Sequence, residues 1–127
     1  MYYNRISKSA GSSRYGQIDL AGRIEGASPH GLISILYEEL LIAIQLAASG
    51  GQHQVQAQAL SRGLNILQSL QDSLDFERGG EVSATLARVY DEVRRQLLTG
   101  VREQQPDRVR NAREIIAGIA DAWRQIG

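Results

Sequence analysis

Apolar residues along this chain recur every three to four positions in long blocks. No stretch alternates with the period of two that a half-buried strand requires. The first block opens at Ser28-Pro29, where a serine can satisfy an orphan amide and a proline suits the first helical position. It runs to about Ser49 and is closed by Gly50-Gly51. One stripe within it is Ile33, Leu36, Leu40, Ala43, Ile44 and Ala47. A second is Leu32, Ile35, Ile42 and Leu46, interrupted only by Glu39. That apolar arc is far wider than the roughly 100° a surface helix needs. Either both stripes are consumed inside a bundle, or the helix offers surplus surface to something else.

The second block spans His53 to Asp75, with Val55, Ala59, Leu60, Gly63, Leu64, Leu67, Leu70 and Leu74 on its core face; close packing would explain Gly63. Gly79-Gly80 then breaks the pattern and permits a tight reversal. A third block follows at once, with Val82, Leu86, Val89, Val93 and Leu97 on one face and Gly100 as its stop. The fourth begins at Pro106 and carries Val109, Ala112, Ile116, Ile119, Trp123 and Ile126, the spacing of an a/d seam. These periods predict an all-α chain: an antiparallel up-down-up-down four-helix bundle over residues 27–127, with helices at about 28–49, 53–75, 80–99 and 106–126.

Residues 1–26 are rich in Ser and Gly but also hold Tyr2, Tyr3, Ile6, Tyr15, Ile18, Leu20 and Ile24. They read as a flexible end, or as a segment that docks on the domain or on a partner.

Composition narrows the function. The formal net charge is zero, so no bulk field draws the chain to nucleic acid or an anionic membrane. The absence of cysteine removes disulfide, thiolate-metal and cysteine-nucleophile chemistry. The N-terminus lacks the apolar core of a signal peptide, and no apolar run approaches the roughly 20 residues a bilayer requires, so a cytoplasmic protein without membrane insertion is expected. The two histidines, His30 and His53, sit near helix starts, and neither follows a carboxylate by three residues as di-metal bundles require. Neither a Ser-His-Asp set nor a phosphate-cradling loop can be assembled. No enzyme, metal or cofactor is expected, and binding remains.

Three motifs, in order along the chain, carry a resemblance: Ala27-Ser28-Pro29-His30 with Leu32, Ile33, Leu36 and Tyr37; Leu74-Asp75-x-Glu77-x-Gly79-Gly80-Glu81 with Leu86, Tyr90, Arg95 and Leu97; and Trp123 near the C-terminus. Over residues 13–126 the chain resembles the FliS family of flagellin-specific export chaperones. The resemblance implies a non-enzymatic chaperone, without cofactors, that binds the disordered C-terminal segment of flagellin, prevents premature polymerisation and presents it to the flagellar export gate. A wide apolar surface on a bundle suits such a guest, which would lie as an amphipathic helix in a groove.

The expected groove residues are Ile35, Ile42 and Leu46 as surplus surface, with Tyr37 and Tyr90 as amphipathic rim residues; Tyr90 is equally compatible with the core. The family's gate contact is a Tyr with hydrophobes three residues to either side. Tyr15 and Ile18 match it, but Ser12 stands where the upstream hydrophobe belongs. A monomer or weak dimer is expected. The rival reading is a structural or signalling bundle that self-associates through its first helix.

Overall fold

The computed structural model describes residues 20–127, which are helical with no strand among them. The chain divides after Leu32 into two compact units. In the first, a helical stretch covers residues 20–26. Four long helices follow: α1 (Pro29–Ala48), α2 (His53–Asp72), α3 (Phe76–Arg102) and α4 (Pro106–Gln125).

Local chemistry sets most of the boundaries. Ser28 Oγ accepts the Gly31 N–H at 3.0 Å, the cap expected ahead of Pro29. Gly50 adopts φ 68°, a left-handed conformation that ends a helix without Cβ strain. Pro106 occupies the first turn of α4. The reversal between α2 and α3 differs from the sequence expectation: it lies at Ser73–Asp75, ahead of the double glycine. Asp75 caps a first turn of α3 by accepting the N–H groups of Glu77 and Arg78 at 3.1 and 3.0 Å. Gly80 then departs from helical geometry, with φ 51° and ψ −123°, and kinks α3.

Contacts between elements fix an antiparallel arrangement. Along α1 and α2, Glu39 pairs with Arg62 while Ala47 accepts from Gln56, so one sequence rises as the other falls. Gln71 bonds Asp91 while Gly63 faces Leu97, which gives the same sense to α2 and α3. The end of α3 meets the start of α4 where Gly100 lies against Val109. A shared core contains Leu40, Ile44, Leu67, Leu70, Val93, Leu97 and Ile116, all with no exposure. Burying such side chains contributes roughly 1.5–3 kcal/mol each.

Several details of the pattern reading are corrected. In α3 the buried seam passes through Ser83, Tyr90, Val93, Leu97 and Gly100, whereas Val82 is 67% exposed. A kink ahead of Val82 changes the register, and a polar residue holds the inward position. Gly100 is a buried helical residue rather than a stop: a Cβ there would fall 2.6 Å from Val109 Cγ2, so its small size permits the approach of α4. Ile66 and Ala120 join the core, while Val55 and Ile126 at the outer ends of their helices are exposed.

At 20 residues, α1 is long and apolar enough by composition to cross a membrane, against the expectation that no such run exists. Here it serves as a core helix instead. Tyr37 reaches both α3 and α4, and Leu40 and Ala43 face α2.

Candidate functional site

Because α1 supplies core contacts to all three partner helices, its opposite face is what remains for a ligand. Ile35, Ile42 and Leu46, at steps of seven and four, share that outer face. Ile42 is 53% and Leu46 46% exposed, while Leu40 and Ile44 on the inner face are not exposed at all. Ile35 differs from its two companions. It is only 6% exposed, although it is not among the side chains of the shared core, so it offers no free surface. Glu39, which interrupts the outer stripe, is tied at 2.7 Å to Arg62 of α2 and so carries a neutralised charge beside it.

Tyr37 and Tyr90 are not rim residues. Both are buried in the core, with their hydroxyls 2.6 Å apart. One hydroxyl donates and the other accepts, so neither oxygen lacks a partner, which lowers the cost of burying two polar groups and explains how both enter an apolar interior. Burial pushes both phenols above the usual value, and the mutual hydrogen bond raises Tyr90 further. Trp123 meets Tyr37 edge-on, ring centroids 6.4 Å apart at 70°, an arrangement suited to the ring quadrupoles. The three aromatics therefore lock α1, α3 and α4 together. Tyr15 and Ile18, expected as gate contact or cap, lie outside the described residues.

Two features escaped the sequence reading. A cleft of about 410 Å³ opens at the end of the bundle where the α1–α2 and α3–α4 connections lie, lined by Ala47, Gly51, Gly100, Val101 and Val109 with His53 and Gln56. Its small residues leave the space, and periodicity carries no signal for that. At the other connection, Phe76 and Val82 are 54% and 67% exposed on either side of the Gly80 kink. Among the described residues no group of three or more His, Cys, Asp or Glu side chains could hold a metal ion.

Comparison with known proteins decides the family. The family model described as "Flagellar protein FliS" matches residues 11–127. The chain belongs to the FliS family. It is 30% identical over 122 residues to the flagellar secretion chaperone FliS of Salmonella typhimurium, covering 93% of this chain and 90% of that one. The protein of the same name from Vibrio cholerae is 30% identical over 115 residues, covering 88% and 85%. That of Escherichia coli is 28% identical over 119 residues, covering 91% and 88%. The helical bundle is thus that of a member of the flagellar secretion chaperone family.

Proposed function

We infer that this FliS-family chain binds the disordered C-terminal segment of flagellin along the outer face of α1, holds it from premature polymerisation in the cytoplasm, and presents it to the flagellar export gate without any enzymatic step or cofactor. The observation that carries this reading is the exposure of Ile42 and Leu46, one helical turn apart, on a helix whose other face already fills the core. An amphipathic guest helix laid along them gains apolar burial on both sides. Ordering such a segment costs about 2–5 kcal/mol, which favours a long apolar contact over a single pocket.

In this reading residues 1–26, with Tyr15 and Ile18, cap the outer face when the guest is absent or contact the export gate when it is loaded. Deleting residues 1–18 then raises binding of an apolar dye, and unchanged dye binding rejects the cap.

The direct test is co-purification with flagellin. Full-length flagellin is retained, and flagellin lacking its last 40 or so residues, the scale of a segment that folds on binding, is lost. Equal retention of both rejects the assignment. Light scattering of the chain alone addresses the alternative, self-association through the same stripe: a stable dimer that dissociates in the Ile42→Ser variant would support that alternative in its place.

A further inference from the structure

The start of α3 carries a surface that the guest-binding reading does not use. Ser83 Oγ donates to the Asp75 carbonyl at 2.9 Å, and it lies so close to Gly79 that a Cβ there would sit 1.9 Å away. The first turn of α3 is therefore stitched to the segment beyond the kink. Phe76 and Val82 are the chain neighbours of the two stitched residues, so this contact keeps the backbone that carries them close together. Each is more than half exposed.

The surroundings are acidic. Asp72, Asp75, Glu77 and Glu81 are all exposed, against the single base Arg78 between them. Asp75 is occupied as the helix cap, and Asp72 accepts from the Gln68 amide at 2.8 Å. Glu77 and Glu81 have neither an ion pair nor a hydrogen-bonding partner for their carboxylates among the described residues. In a chain of zero formal charge this excess is local. Part of it suits the positive end of the α3 dipole, which accounts for Glu77 in the first turn. Glu81 opens the helical segment beyond the kink and suits its dipole in the same way, but the two large exposed apolar side chains Phe76 and Val82 have no such account.

We propose that Phe76 and Val82, flanked by Glu77 and Glu81, form a docking surface for a basic amphipathic segment of a partner protein, one that sets Arg or Lys beside large apolar side chains. The choice of occupant follows from charge complementarity. The apolar pair supplies burial, and the unpaired carboxylates select a basic partner and repel an acidic one. Because the kink is fixed by the Asp75 cap and the Ser83 bond, the surface needs little reorganisation on binding. It lies on a different helix from the Ile42–Leu46 stripe, and its test is independent of flagellin.

Two synthetic helical peptides with the same leucine pattern, one flanked by arginines and the other by glutamates, are titrated into the isotope-labelled full chain and followed by NMR. The arginine peptide is expected to shift amides within residues 75–83, and the glutamate peptide to leave them unmoved. Its affinity should fall about tenfold in Phe76→Ser/Val82→Ser and about threefold or more in Glu77→Gln/Glu81→Gln, and should also weaken as salt rises to about 0.5 M. The salt series uses the unaltered chain and so reads the charge contribution even if a variant folds poorly. Equal shifts from both peptides, no shift from either, or shifts confined to other residues would overturn the proposal.

Discussion

The hydroxyl oxygens of Tyr37 and Tyr90 lie 2.6 Å apart inside the core and tie α1 to α3 across 53 positions of chain. A pair of this kind is asymmetric in its energetics. Each hydroxyl is tolerated in the interior only because the other is there. Tyr37→Phe or Tyr90→Phe alone should therefore cost about 1–3 kcal/mol, by leaving one buried hydroxyl unsatisfied, while the double variant should lie close to the original chain. Chemical denaturation of all four proteins as a double-mutant cycle measures this coupling. Additive losses would mean that the hydroxyls do not act as a pair.

The same pair makes stability depend on alkaline pH. A free tyrosine loses its proton near 10.0, and burial raises both Tyr37 and Tyr90 above that value. Above pH 10 the unfolded chain releases these protons while the folded chain keeps them, so the native state binds more protons and stability falls as pH rises. The contribution is complete below pH 10. Beyond it each tyrosine removes about 1.4 kcal/mol per pH unit until its folded value is reached. Unfolding curves between pH 9 and 11 should decline more gently for Tyr37→Phe/Tyr90→Phe than for the parent.

Two buried glycines are expected to respond to alanine in opposite directions. At Gly100 a Cβ would meet Val109 Cγ2 at 2.6 Å and the Val109 nitrogen at 3.0 Å, so the α3–α4 contact must open. Gly100→Ala should cost about 1–3 kcal/mol. At Gly63 the nearest atoms to a Cβ are Leu97 Cδ2 at 3.5 Å, Ala43 Cβ at 3.7 Å and Leu40 Cδ1 at 3.8 Å, ordinary van der Waals contact. Close packing therefore does not demand this glycine, contrary to the sequence expectation. Gly63→Ala should stabilise α2 by about 0.5–1 kcal/mol. Thermal melts of the two variants, moving to opposite sides of the parent, check both.

How far the fold was legible follows from where its signals are local. Ser28-Pro29, Gly50-Gly51 and Pro106 mark ends through their own backbone chemistry, so the four bundle helices and most of their boundaries could be read directly, whereas the helical stretch at 20–26 could not. Period alone placed Leu40, Ala43, Ile44 and Ala47 of α1 and Val109, Ala112 and Ile116 of α4 inward, but missed Tyr37 and Ala120 and wrongly took in Ile126. In α3 the same reasoning chose Val82 over Ser83, because hydropathy ranks valine inward. Nothing in the composition announces that Ser83 has a backbone carbonyl, that of Asp75, to bond. Tyr37 was misplaced, and Tyr90 left open between rim and core, for a related reason: a hydroxyl suggests a wet edge until its partner, 53 positions away, is known. Of the outer stripe, Ile42 and Leu46 were legible as apolar candidates for surplus surface, but that they stay exposed while Leu40 and Ile44 fill the core is decided only by the packing. Ile35 shares their face but not their exposure, a distinction that period cannot draw.

The claim at the centre of this account is that the outer face of α1 receives the guest. Calorimetric titration of a peptide carrying the last 40 or so residues of flagellin, a segment of coupled-folding length, into the parent and into Ile42→Ser/Leu46→Ser tests it most directly. Both side chains are about half exposed, so the variant should keep the parent's melting temperature within a few degrees. Losing burial of two apolar side chains at the interface should weaken binding at least about tenfold. Unchanged affinity in a variant that still folds would place the guest on some other surface and contradict the account.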